Sequence, residues 1–255
     1  MGVPQGQEWD KLATIQDPDG FQSFLDKVPF FAAGPRRLTD KKIVVPNLQL
    51  APTKQISTQA AFGKILDEIA RGDSLLADRI VTASPDVTGT TSLGPWVNRR
   101  RLFARKAQPD LFKEHNIPST AKWEFTPDGQ HIELGIAEMN LCLLLGAAGL
   151  AHSLFGQRLI PIGTVYDPFI SRGLDALNYA CYQDARFMIV GTPSGITLAP
   201  EGGAHQSIAT PLIGMSQDGL AAFEPAFADE LSVIMAWAFD YMQRGGDRLP
   251  DQRTW

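Results

Sequence analysis

The stretch Arg158 to Gly191, RLIPIGTVYDPFISRGLDALNYACYQDARFMIVG, decides the fold. Arg158 to Val165 is a short apolar run with branched side chains, the pattern of a strand buried on both faces. Asp167-Pro168 reads as a helix cap followed by a proline at the first helical position, where its missing N–H costs nothing. The helix so opened is predicted to run to about Tyr182 and to lead into a second strand, Phe187 to Gly191. Strand, helix and strand in immediate succession form a crossover between parallel neighbours.

The same alternation extends outward. Upstream, a helix is predicted from about Gly135 to Leu154 with Gly156 as its stop, preceded by a strand at Ile80 to Ala83. Before that, Ser57 or Thr58 can cap a helix whose apolar face is Phe62, Ile65, Leu66 and Ile69, ending near Gly72. Downstream, the last long helix is expected to open at Pro225, carry Phe227, Leu231, Val233, Ile234 and Trp237, and stop at Gly245-Gly246. Residues 84–130, punctuated by Pro85, Pro95, Pro109, Pro118 and Pro127, read mostly as loop, longer than a compact fold normally leaves idle. The predicted class is α/β, a three-layer doubly wound, mostly parallel sheet with helices on both faces. Its site should lie where the loops after 83, 165 and 191 converge at the carboxyl ends of the strands.

Residues 1–55 read as a connecting arm and 56–255 as one domain. Pro4, Pro18, Pro29, Pro35, Pro46 and Pro52 break up the arm, leaving a helical candidate at Phe21 to Val28 and an extended stretch at Lys42 to Val45. The apolar patch Val28-Pro29-Phe30-Phe31 is expected to pack on a neighbouring surface.

Composition removes several function classes. Of 255 residues, 44% are hydrophobic and 20% charged, enough apolar material for a sizeable core and too few charges for a typical disordered chain. The longest apolar run, Leu141 to Ala151, falls short of the roughly 18 residues of a spanning helix, and no signal pattern opens the chain, so a soluble, cytoplasmic protein is expected. Lys and Arg total 23 against 28 Asp and Glu, so no global field favours nucleic acid. Cys142 and Cys181 both sit in apolar helical patterns, where thiols are packed and reduced rather than bridged.

Familiar motifs fail. Gly191-Thr192-Pro193-Ser194-Gly195 has the order G-x-x-S-G rather than that of a nucleophile elbow. The dinucleotide fingerprint and the phosphate-binding P-loop are absent. His115, His131, His152 and His205 lack the spacing of a zinc pair, and no metal ligands are assigned. The basic cluster Arg99, Arg100, Arg101, Arg105 and Lys106 could grip an anion, but a solvated or partner-facing loop is the plainer reading.

A smaller constellation remains. Glu138, in Gly135-Ile136-Ala137-Glu138-Met139-Asn140-Leu141, opens the most apolar helix, so its carboxylate must be paired, protonated or close to the helix N-terminus. It is either a first-turn glutamate satisfying free amides or an acid that shares a proton with a ligand nitrogen. Phe169, just after Asp167-Pro168, is a core side chain or a stacking platform. His205, in Glu201-Gly202-Gly203-Ala204-His205-Gln206-Ser207, places an imidazole on a glycine-rich loop near the same end of the sheet.

Together these segments resemble the pyrimidine-binding domain of the transketolase-like thiamine diphosphate enzymes. The resemblance is strongest to the homodimeric type of pyruvate dehydrogenase decarboxylase component. It runs over roughly residues 40–245 and includes Gln55-Ile56-Ser57-Thr58 and Phe223-Glu224-Pro225-Ala226. It implies the thiamine diphosphate-binding fold and a role for each residue. Glu138 would hydrogen-bond the aminopyrimidine and activate the cofactor, Phe169 would stack on that ring, and His205 would stabilise or protonate an intermediate. Asp86 and the loop Gly94-Pro95-Trp96-Val97-Asn98 sit where the family places cofactor-side and substrate-side loops. The implied reaction is decarboxylation of a 2-oxo acid, expected to be pyruvate, with the acyl group passed to a lipoyl-bearing acyltransferase core.

One family feature is missing. The cofactor's diphosphate and Mg2+ are normally anchored by Gly-Asp-Gly and a later asparagine on a separate domain. Here the Asp-Gly pairs, Asp19-Gly20, Asp128-Gly129 and Asp218-Gly219, lack the leading glycine. The resemblance therefore implies the pyrimidine half of a site, with the Mg2+ half supplied by a homodimer mate, another chain or further sequence. The alternatives are a ketol-transferring relative and a non-catalytic assembly module.

Overall fold

Ile80 to Ser84, a strand buried almost throughout, is the axis of the fold. The computed structural model describes residues 5–6, 15–28, 38, 40–48, 55–119, 121 and 123–244. In chain order the elements are α1 (Pro18–Lys27), α2 (Thr58–Arg71), α3 (Leu75–Arg79), β1 (Ile80–Ser84), α4 (Gly94–Arg100), β2 (Leu102–Phe103), α5 (Leu111–Glu114), β3 (Phe125–Thr126), β4 (His131–Glu133), α6 (Glu138–Gly149), α7 (Ala151–Phe155) and β5 (Ile160–Val165). A 3-10 segment, Asp167–Gly173, leads into α8 (Leu174–Tyr182) and β6 (Met188–Gly191). Short 3-10 turns at Ala199–Glu201 and Gly203–His205 precede α9 (Thr210–Ser216) and α10 (Ala228–Tyr241).

The chain divides into two units, Met1–Asp40 with Ala151–Gln157, and Lys41–Leu150 with Arg158–Trp255. In the smaller one Asp17 caps α1 by accepting the Gly20 N–H at 2.9 Å, and the Leu38 N–H donates to the Ser153 carbonyl at 2.7 Å. α1 thus starts earlier than the apolar pattern predicts, because its cap and Pro18 precede the first phenylalanine. Pro29-Phe30-Phe31 and Gly245-Gly246 lie outside the described residues.

In the larger unit the sheet order is β3-β2-β4-β1-β5-β6, with every pair parallel. Strand alternation divides the core into two layers. Ile80, Ile160, Ile162, Met188 and Val190 pack with Phe62 and Ile65 of α2, Trp96 of α4 and Phe239 of α10. Ala83, Val165 and Ile189 pack with Leu141, Leu145 and Leu177 of α6 and α8 on the other face. This is the predicted three-layer α/β class, and it explains why the strands read as apolar without alternation. The helical stretch Glu138–Phe155 has a mean hydropathy of 1.3 over 18 residues, enough by length and composition to cross a bilayer. Its first part, α6, packs on β5 and α8 as the core helix of a layered fold.

Several boundaries differ from the sequence reading. Residues 84–130 are mostly loop, as read, but they also hold the short elements α4, β2, α5 and β3, with β4 just beyond. Two- and three-residue strands are too short to show a period, so nothing marks them in the sequence. Gly94 to Asn98, expected to be a substrate-side loop, is helical, and Trp96 and Val97 are fully buried in the core. α10 begins at Ala228 rather than Pro225, because Glu230 reaches back to accept the Ala226 N–H at 2.8 Å. The helix predicted from Pro168 starts as a 3-10 segment and becomes α-helical only at Leu174. Lys41 to Leu48 belongs to the larger unit: Ile43 and Leu48 are buried, and Gln243 clasps Ile43 by accepting its N–H at 2.6 Å and donating to its carbonyl at 3.1 Å.

Candidate active site

β1 lies between β4 and β5, and the chain builds one half of the sheet on either side of it. The carboxyl ends of these three strands therefore frame a topological switch point, where open α/β sheets leave a crevice. A cleft of about 170 Å³ occupies it, lined by Pro85, Asp86 and Val87 after β1, Ile136 and Glu138 after β4, Tyr166, Phe169 and Arg172 after β5, and His205. The four residues singled out from sequence, Asp86, Glu138, Phe169 and His205, are thus brought together. The volume is below the roughly 300–1,000 Å³ of pockets that enclose a whole small molecule, and suits a single ring.

Each side chain is held there by its local structure. Gly135, at φ +66°, turns the chain after β4 so that α6 starts at Glu138 rather than at Gly135. The Glu138 side chain is only 11% exposed, and its Oε1 accepts from Arg172 Nη1 at 2.9 Å. Arg172 also lies over Phe169, with Cζ 3.9 Å from the ring centroid. Phe169 stacks with Tyr166 at 6.1 Å and meets the edge of His205 at 5.1 Å. His205 stands on the turn after Gly202 and Gly203, both at positive φ, with Nε2 3.6 Å from Glu201 Oε2. Asp167 does not cap the segment after β5 as expected. Its Oδ2 accepts the Gly195 N–H at 2.8 Å, tying the loop after β6 to the loop after β5.

A polar hub lies under the cleft. Glu133 Oε1 accepts the backbone N–H of Asp86 at 2.7 Å, of Leu134 at 3.0 Å and of Gly135 at 3.2 Å. Thr88 donates to Glu133 Oε2 at 2.7 Å, and fully buried His131 bridges Thr88 at 2.9 Å through Nε2 and Thr82 at 2.8 Å through Nδ1. With the Thr88 hydroxyl proton on Glu133, the His131 hydrogen belongs on Nε2 and Nδ1 accepts from Thr82. Burial alone would raise the Glu133 carboxyl. The nearby His131 Nε2–H, 3.8 Å away, and hydrogen bonds from Thr88 and the Asp86 and Gly135 amides outweigh it and hold the group at about 2.

Glu133 and Arg172 are not singled out by sequence. Arg172 had one available signal, a cation three residues beyond an aromatic at the entrance to a helical segment, where the two side chains share a face. The basic cluster is mostly exposed, and three of its members pair within the chain: Arg99 with Asp67 at 2.5 Å, Arg100 with Asp78 at 3.1 Å and Arg101 with Glu124 at 3.3 Å.

A carboxylate beside an aromatic face in a ring-sized cleft can hold a flat nitrogen heterocycle. The family model for the transketolase pyrimidine-binding domain matches residues 54–245. The chain belongs to this family. It is a family of thiamine diphosphate-dependent enzymes. Over 195 residues the chain is 28% identical to the pyruvate dehydrogenase E1 component of Corynebacterium glutamicum, covering 76% of this chain and 21% of that protein. Against the E1 component of Mycobacterium tuberculosis it is 27% identical over 209 residues, 78% of this chain and 22% of the relative. The chain thus spans about a fifth of the length of these relatives. Among solved structures, transketolase from Leishmania mexicana superimposes with a TM-score of 0.56 at 22% identity, over 74% of this chain and 24% of that one, a likeness of fold.

The cleft fits the pyrimidine part of thiamine diphosphate, because the Glu138 carboxylate and the Phe169 ring line the same ring-sized space. It does not fit the diphosphate and Mg2+ part. Among the described residues no group of three or more His, Cys, Asp or Glu is placed to hold a metal ion, and the chain has no Gly-Asp-Gly.

Proposed function

We propose that this chain is the pyrimidine-binding half of a thiamine diphosphate-dependent 2-oxo acid dehydrogenase acting on pyruvate. Mg2+ and the diphosphate would be held by a domain outside this sequence, in a homodimer or a second chain, and the acyl group would pass to a lipoyl-bearing core. The observation that carries the reading is the placement of Glu138 beside Phe169 at the switch point of the sheet. The identities to pyruvate dehydrogenase E1 components favour the 2-oxo acid over a ketose phosphate.

When bound, thiamine diphosphate supplies an electron sink for the carbanion left by decarboxylation. The chain's own residues orient it and move protons. Glu138, 11% exposed, would hold the cofactor by accepting or sharing a hydrogen bond with a ring nitrogen. Phe169 offers its face to the ring and fixes its plane. His205, at the edge of Phe169, would give or take a proton on the substrate side. Asp86 contributes to the cofactor-side wall.

The test is carbon dioxide release from labelled pyruvate with Mg2+ and thiamine diphosphate, for the chain alone and with the partner that supplies the diphosphate half. Release only by the assembled enzyme, abolished by Glu138→Gln in a folded chain, is the expected result. Glycol transfer from a ketose phosphate without carbon dioxide release would assign the chain to the ketol-transferring relatives. An assembly holding both halves but doing neither would make it a non-catalytic module. Release by the chain alone would overturn the division of the site.

A further inference from the structure

Arg172 lies where a ligand ring would lie. Its guanidinium makes both contacts that the proposed reading gives to an aminopyrimidine: a flat delocalised group 3.9 Å above the Phe169 centroid, and an N–H directed at Glu138 Oε1 at 2.9 Å. A guanidinium can satisfy both because it is planar and carries its donors in the plane, whereas a lysine ammonium is a point charge with no face to stack. Without such a partner, the 11%-exposed Glu138 carboxylate would have only the N-terminus of α6 to balance it.

We infer that Arg172 is an internal ligand of this cleft, and that a ring enters only by displacing its guanidinium from Phe169 and Glu138. The inference rests on the pyrimidine reading of the site. Displacement is feasible because the Arg172 side chain is 47% exposed, so water can take over its hydrogen bonds as it swings out. It also gives Arg172 a definite job: it sets the affinity of the half-site, since every ring that binds first breaks an ion pair and a cation–π contact.

The test uses the full chain and thiamine, which carries the pyrimidine without the diphosphate, followed by NMR able to read millimolar affinities. In the free wild type the Arg172 side-chain signals should be displaced by the Phe169 ring current. They should return toward solvent values as thiamine saturates the cleft. Arg172→Ala should bind thiamine about three- to thirtyfold more tightly, the change expected on removing one partly exposed ion pair and one cation–π contact. Arg172→Lys, which keeps the charge but cannot stack as a plane, should fall between. Amide spectra of both variants establish that they fold. Equal or weaker binding by Arg172→Ala, or Arg172 signals that stay fixed at saturation, would overturn the inference while leaving the pyrimidine reading intact if Glu138→Gln still loses binding. Thiamine binding to none of these proteins would overturn both.

Discussion

The Asp86 N–H donates to Glu133 Oε1 at 2.7 Å, while Asp86 itself sits at φ +63°. A non-glycine residue in the left-handed region is strained unless its surroundings fix it, although aspartate tolerates this conformation better than most. One carboxylate therefore fixes the loop after β1 and, through the Leu134 and Gly135 amides, the turn that delivers Glu138 to α6.

Because the folded Glu133 carboxyl is held at about 2 against an ordinary 4.5, its stabilisation is fully present above pH 4.5 and is lost as pH falls toward 2. Glu133→Gln should lower stability at neutral pH by roughly 1–2 kcal/mol, after allowance for the carboxylate's partial exposure. Urea unfolding of wild type and variant between pH 6 and 2 checks this. A stability gap of unchanged size across that range would contradict the assigned role of the charge.

Gly173 brings the segment bearing Phe169 and Arg172 hard against α6. A Cβ there would lie 2.5 Å from Cys142 Sγ and 3.1 Å from the Glu138 carbonyl. Gly173→Ala should cost about 1–3 kcal/mol through overpacking. It should also shift the NMR signals of Phe169 and Arg172 together, and a variant with wild-type melting and unshifted signals would show that the contact has slack.

Gln243→Leu keeps the bulk of the side chain but leaves the Ile43 N–H and carbonyl without their buried partner. The expected loss is about 1–3 kcal/mol, concentrated in residues 41–48. Limited trypsin digestion should then cut earlier after Lys41 and Lys42, and an unchanged digestion pattern would mean that Ile43 is held by packing alone.

Burial, with a smaller contribution from nearby Cys181, pushes the Cys142 thiol up to about 11. At pH 8 only about a thousandth of it is thiolate, so native Cys142 should resist alkylation and react promptly once unfolded. Mass spectrometry after timed iodoacetamide treatment reads this directly, and rapid native labelling would indicate that the α6–α8 contact opens readily.

The sequence by itself determined the α/β alternation, a cap for α2 at Ser57 or Thr58, and the candidates Glu138, Phe169 and His205, whereas Asp86 came only from the family resemblance. Such features are written in local spacing: apolar period, cap residue, proline and glycine positions, and short motifs at strand ends. Tertiary structure alone decided the rest. β2, β3 and β4 exist because neighbouring strands pair with them, and Trp96 is core because α4 packs on α2, though its flanking Gly-Pro and arginines read as loop. Arg172 meets Glu138 across 34 residues and Glu133 meets Asp86 across 47. Their partners depend on which strand ends the parallel crossovers bring side by side, and no periodicity along the chain carries that choice.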